Sequence, residues 1–153
     1  MGVGKSFGLG LIVYLLLNLG MSVVTLAVTA PETIGAIFSS IDAILLNMLS
    51  PILAWFGAFT SFATTPFSLA VLFEALGLIL PGLIGALVAG KSSDSAGAAF
   101  GGWVLAGIIA SVLWIVLGFV LPGLAVSDIL LVILSGLSVG FFWGGIAAVS
   151  AGP

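Results

Sequence analysis

The chain contains no histidine and no cysteine. Without histidine there is no imidazole base, no histidine-ligated haem and none of the usual copper or zinc sites. Without cysteine there is no disulfide, no iron–sulfur ligation and no thiol nucleophile. We therefore predict a chain that is not an enzyme and that binds neither a metal ion nor a cofactor.

Charged residues are also scarce, since only 5% of the 153 residues are Asp, Glu, Lys or Arg. A soluble domain typically has about a quarter. The formal net charge is −3, with only two basic residues, which argues against a nucleic-acid partner because phosphate neutralisation requires lysine and arginine. Hydrophobic residues make up 62% of the chain, and a soluble protein with such a surface would aggregate. The composition predicts one domain embedded in a lipid bilayer.

Four segments are long and apolar enough to cross a membrane, which takes roughly 20 residues per helix. They are residues 7–29, 66–90, 98–121 and 128–150. The fourth qualifies because glycine is common in membrane helices. Proline, glycine or short polar runs separate the segments. We predict an all-α integral membrane protein with four transmembrane helices in a compact bundle.

Residues 31–65 predict two shorter helices between the first two spans. Apolar residues recur at helical spacing over 33–49. Ser50-Pro51 then resembles a helix cap followed by proline at the first helical position, which predicts a second helix over 52–64. Neither helix is long enough to span, so we predict an interfacial or re-entrant hairpin. The alternative is a fifth span over 42–62, kinked at Pro51.

The two lysines distinguish these topologies. With four spans, Lys5 and Lys91 lie on the same side of the membrane, and the positive-inside rule makes that side cytoplasmic. With five spans they lie on opposite sides. We therefore expect four spans with both termini in the cytoplasm. Trp103 and Trp143 then fall near the cytoplasmic ends of their spans, where aromatic residues commonly anchor helices at the interface.

Small residues four positions apart form three ridges that predict close helix contacts. We expect most of these ridges to be used within the chain. The ridges consist of Gly136, Gly140 and Gly144 in the fourth span, Gly82, Ala86 and Gly90 in the second, and two separate pairs in the third, Gly97 with Gly101 and then Gly107 with Ser111.

Glu74 is the one acidic residue well inside a predicted span. An ionised carboxylate at the bilayer centre costs roughly 2.5–3.5 kcal/mol on insertion scales, so Glu74 must be protonated, paired or hydrated. We predict an intramembrane polar network in which Glu74 bonds to Asn18 or Ser22. These belong to a polar stripe on the first span that comprises Tyr14, Asn18, Ser22, Thr25 and Thr29.

These features favour a non-catalytic accessory or structural subunit of a larger membrane complex. The loops are too short to form a soluble domain, and no residue set fits redox or hydrolytic chemistry. Its partners would be other membrane subunits or copies of itself. One alternative is a small proton- or cation-coupled transporter or channel that uses Glu74. Another is a viral or envelope membrane structural protein.

Overall fold

The computed structural model describes residues 2–49, 66–120 and 126–152, and these residues are helical with no strand. The predicted all-α fold is confirmed, with four helices long and apolar enough to span a membrane. The predicted helix over 52–64, its Ser50-Pro51 start and most of the alternative fifth span lie outside the described residues. The helices are α1 (Gly2–Thr29), α2 (Ile34–Ile37), α3 (Ile41–Leu49), α4 (Leu69–Lys91), α5 (Ala96–Val120) and α6 (Val126–Ser150), with a 3-10 turn at Pro31–Thr33.

Serine caps set the boundaries of α4 and α5. The Ser68 hydroxyl accepts a hydrogen bond from the Val71 amide at 3.2 Å, so α4 begins three residues later than the predicted span. Ser95 accepts from the Ala98 amide at 3.2 Å, so α5 begins two residues earlier. In each case the hydroxyl satisfies an amide that has no partner within its own helix.

The chain bends by 110° between Pro31–Ile37 and Ile41–Leu49, and we call these two segments the bent pair. A continuous helix over 33–49 was the expectation, and it is wrong. Ser39 donates to the Ala36 carbonyl at 2.8 Å, and Ser40 accepts from the Ala43 amide at 3.2 Å. These local bonds end α2 and start α3, because serine hydroxyls compete with the helical backbone.

The four long helices form two antiparallel hairpins that lie side by side. In the first hairpin, Gly77 of α4 lies beside Thr25 of α1. In the second, α5 packs against α6. Across the hairpins α1 neighbours α5, and α4 neighbours α6. Gly2 lies next to Asp94 in the α4–α5 turn, so Lys5 and Lys91 lie at the same end of the bundle, as four spans require.

Trp103 and Trp143 lie in the bundle core, with exposed fractions of only 2% and 3%. The expectation that they are interfacial anchors is wrong. Glycines on neighbouring helices leave space for each indole: Gly10 and Gly85 lie against Trp103, and Gly82 lies against Trp143. The two indole rings are therefore surrounded by the close-packed core and do not lie at the membrane interface.

The fourth-span glycines lie along α5. A Cβ added at Gly140 would sit 3.2 Å from the Val104 Cα, and one at Gly144 would sit 3.2 Å from a Phe100 ring carbon. A Cβ on Gly107 would lie 3.1 Å from the Gly140 Cα. These helices therefore approach each other backbone to backbone, as small residues permit.

The other two ridges differ in how they are used. Gly82 and Gly90 of α4 lie against α6, and Ala86 between them is fully buried. The two third-span pairs also differ, because Gly107 and Ser111 face α6 whereas Gly97 and Gly101 have no atom within 4 Å of an added Cβ. The residues that line the contacts of α6 with α4 and α5 are Gly82, Gly90, Gly107, Ser111, Gly136, Gly140 and Gly144.

Candidate functional site

Two side chains of α1 donate hydrogen bonds to the last described turn of α3. Asn18 Nδ2 donates to the Met48 carbonyl at 2.9 Å, and Ser22 Oγ donates to the Asn47 carbonyl at 3.5 Å. Asn18 and Ser22 therefore tie α1 to α3 at two successive backbone carbonyls, and each such bond within a membrane is worth about 0.6–2 kcal/mol.

The bent pair enters the bundle from the end at which α1 finishes. Ile41 at the start of α3 is 77% exposed, whereas Leu49 at its tip is 3% exposed. Asn18, which holds that tip, lies about 16 Å below Thr29 at 1.5 Å per residue. That is about half of the ~30 Å hydrocarbon thickness. Helix α3 thus runs from the exposed end of the bundle into its interior, to about half the hydrocarbon depth at Leu49.

The remaining residues of the polar stripe have separate partners. Thr25 Oγ1 donates to the Phe73 carbonyl of α4 at 3.4 Å. Thr29 Oγ1 donates to the Thr25 carbonyl of its own helix at 2.9 Å. Tyr14 is buried, with its ring edge-to-face with Trp103 at a centroid distance of 5.7 Å. The stripe therefore joins α1 to three different elements, and within it the Tyr14 and Asn18 side chains are hydrogen-bonded to each other.

Glu74 lies outside the bundle core, on the exposed surface of α4. Helix α4 presents the Phe73 carbonyl and Gly77 to Thr25, and Glu74 is turned about 100° from Phe73 around the helix. Across the described ranges, no hydrogen bond joins Glu74 to Asn18 or Ser22, whose donors are used by α3. The structure thus separates Glu74 from the residues with which it was expected to bond.

The depth of Glu74 follows from its position in α4. It lies about 9 Å from the helix midpoint, on the side away from Lys91, at 1.5 Å per residue. A 23-residue helix is about 34 Å long, slightly more than the hydrocarbon thickness. The carboxyl group is therefore attached within the span and not at its end.

Among the described residues, the polar groups of the core are hydroxyl, amide and indole groups. Its buried polar residues are Ser6, Asn18, Ser111 and Ser135. Ser111 Oγ lies 3.2 Å from the Val132 carbonyl of α6 and so joins two helices. No group of His, Cys, Asp or Glu among the described residues could hold a metal ion. Among the described residues, Glu74 is thus the charged residue placed farthest from a helix end, and it lies on the outside of the bundle.

Sequence reasoning missed the part of the α1 face that precedes Tyr14. Gly2, Ser6 and Gly10 are all buried and continue the four-residue spacing of Tyr14 and Asn18. Ser6 lies against Gly102 of α5, where a Cβ would sit 2.8 Å from the Ser6 hydroxyl. The regular spacing of small and polar residues was the available signal.

The chain matches no family model, no curated protein and no solved structure. Its four apolar helices and its bent pair define it as a multi-pass α-helical membrane protein.

The anchoring of α3 gives a first testable prediction. Asn18→Leu removes the donor to the Met48 carbonyl and should destabilise the docked tip by about 0.6–2 kcal/mol, the range for membrane side-chain hydrogen bonds. Amides of Ile41–Leu49 should then exchange about 3- to 30-fold faster by hydrogen-exchange mass spectrometry. Thr29→Val is the matched control, since its hydroxyl bonds only within α1. Equal exchange in both variants would contradict the anchoring role.

Proposed function

We propose that the chain is a non-catalytic subunit of a larger membrane complex and that another subunit binds at Glu74. The supporting observation is the exposure of Glu74 on an otherwise apolar helix within the span. An acid at the bilayer centre costs roughly 2.5–3.5 kcal/mol on insertion scales, and part of that cost remains about 9 Å from the centre. A protein surface with a hydrogen-bond donor or a cation removes this cost.

The partner should be a different protein that carries lysine or arginine at the depth of Glu74. This chain has only two basic residues, and both lie at the opposite end of the bundle. Lys91 is about 25 Å from Glu74 along α4. A second copy in the same orientation therefore has no cation to place there. A different subunit with a basic side chain at this depth supplies that cation. Acidic residues within membranes typically pair with such groups.

The position of Glu74 gives less support to a transporter or channel and to a viral or envelope structural protein. A transporter that uses Glu74 would need the carboxyl group to line a path through the bundle, whereas Glu74 lies outside and two tryptophans fill the core. An envelope protein that tiles a membrane would associate with copies of itself. Tiling leaves Glu74 without a cation when the copies share one orientation.

Co-purification tests the proposal. We expect the native protein, extracted in mild detergent, to carry a second subunit that Glu74→Gln loses at least tenfold. The reason is that the partner's cation would be left buried without its counter-ion. Glu74→Asp should retain part of the partner, and Glu32→Gln, an exposed acid outside the spans, should retain all of it.

Three results would contradict the proposal. One is equal recovery of the partner with Glu74→Gln and with wild type. Another is recovery of the chain alone as a homo-oligomer, which favours tiling. The third is loss of ion flux in proteoliposomes with assembly unchanged, which favours transport.

We further propose that the α4–α5 turn and both termini face the cytoplasm, because Lys5 and Lys91 lie at that end. The chain has no cysteine, so single cysteines can be introduced on an unlabelled background. In intact cells an impermeant maleimide should label Thr33→Cys, at the opposite end, and leave Ser93→Cys unlabelled. Labelling of position 93 but not of position 33 would reverse the orientation.

A further inference from the structure

Two buried polar atoms of the described core have no hydrogen-bond partner: Asn18 Oδ1 and Trp114 Nε1. Asn18 is only 1% exposed. Its Nδ2 donates to the Met48 carbonyl, which fixes the orientation of the amide and turns Oδ1 away from that carbonyl. Oδ1 accepts hydrogen bonds and the indole N–H donates them. The core therefore holds one unpaired acceptor and one unpaired donor.

The helix register places Asn18 and Trp114 close together. Tyr14 and Ala110 line the same small cavity between α1 and α5. Asn18 follows Tyr14 by one helical turn, and Trp114 follows Ala110 by one turn. The two helices run in the same direction, since Gly102 near the start of α5 contacts Ser6 near the start of α1. Residues four apart share a helix face, so both side chains lie at the next level of the same interface.

The tip of α3 reaches this level as well. Leu49 belongs to the buried core cluster that contains Tyr14 and Ala110, and Trp114 packs against that cluster. Asn18 is bonded to the residue before Leu49. The unpaired acceptor and donor therefore lie where α1, α3 and α5 meet.

We propose that this junction binds one ordered water molecule between Trp114 and Asn18. The water oxygen accepts from Trp114 Nε1, and one of its hydrogens is donated to Asn18 Oδ1. Its second hydrogen is available to the Met48 carbonyl, whose oxygen has two lone pairs and accepts from Asn18 Nδ2 with one of them. Buried water typically makes two to four such bonds to polar groups that otherwise lack partners. A cation does not fit, because the indole N–H presents positive charge to the site.

The water would link α3 to α5. Asn18 already joins α1 to α3 through the Met48 carbonyl, and the bridge extends this connection to a third helix. Water-mediated bonds are enthalpically nearly as good as direct ones. The junction thus fixes α3 through hydrogen bonds. This role does not depend on the proposed binding of a subunit at Glu74.

The test is a nuclear magnetic resonance experiment on the tryptophan indoles, with ¹⁵N-labelled tryptophan in nanodiscs. Trp114→Phe identifies the Trp114 indole signal by its loss. In wild type we expect a cross-relaxation peak between this N–H and water, with the sign of a slowly tumbling bound molecule. Asn18→Leu should abolish the peak, because the water loses its acceptor.

Two controls exclude protein hydroxyls as the source. Ser111 lies one turn before Trp114 on α5, and its hydroxyl could mimic water by proton exchange. The peak should persist in Ser111→Ala and in Tyr14→Phe. Loss of the peak in either variant would overturn the proposal, as would its persistence in Asn18→Leu. The absence of the peak from wild type, which requires no variant to fold, would overturn it directly.

Discussion

Replacing Trp103 by alanine is expected to destabilise the protein by about 3–5 kcal/mol, the usual cost of deleting a buried large aromatic side chain. Trp103 is 2% exposed and its ring lies against Gly10 of α1 and Gly85 of α4. Because helix association in a bilayer depends on close packing, the cavity would weaken the contacts among α1, α4 and α5. Unfolding in mixed detergent and SDS micelles measures the change.

A second substitution makes this test specific to the glycine–tryptophan contact. A Cβ at Gly85 would lie 2.6 Å from the Trp103 ring, so Gly85→Ala should be destabilising in the wild-type background. In the Trp103→Ala background the added methyl group enters the vacated space, and its cost should fall or change sign. Gly20→Ala is the control, since a Cβ added at Gly20 would have no neighbouring atom within 4 Å. An equal cost of Gly85→Ala in both backgrounds would contradict the described packing.

Gly140→Leu should destabilise the α5–α6 hairpin by about 1–3 kcal/mol or more, as overpacking does in a close-packed core. Even a Cβ at Gly140 would lie 3.2 Å from the Val104 backbone, so a larger side chain must push the two helices apart. Gly145→Leu is the matched control, because this glycine of the same helix has no atom within 4 Å of an added Cβ.

Thermal aggregation followed by size-exclusion chromatography separates the two glycine variants. We expect Gly140→Leu to aggregate at a lower temperature and Gly145→Leu to behave like wild type. If both variants resemble wild type, the two backbones are not in close contact at Gly140.

The sequence was sufficient for the membrane class, the four helices and the presence of shorter helices between the first two spans. These features depend on local properties, since the length of an apolar run decides whether it can span. The four helices begin two to five residues from the predicted starts. Ser68 and Ser95 act as caps through bonds to amides three residues away, a relation that lies within one short segment.

One failure is local, namely the bend inside the predicted helix over 33–49, and the others concern relations between segments distant in the chain. Trp103 is buried because Gly10 and Gly85, on two other helices, meet at its ring. Asn18 serves the tip of α3 instead of Glu74, because the bend at Ser39 and Ser40 turns α3 into the bundle. Neither relation is visible in the periodicity of a single helix, which gives the spacing on a face but not the element that the face contacts.

The central claim, that another subunit covers Glu74, is tested most directly by photo-crosslinking in cells. A benzophenone amino acid at Leu78, one turn from Glu74 on α4, should form an adduct with a second protein. The same amino acid at Leu134, an exposed residue of α6, should form none. Glu74→Gln should abolish the adduct at position 78. Adducts equally frequent at both positions, or unaffected by Glu74→Gln, would contradict the claim that Glu74 binds a partner subunit.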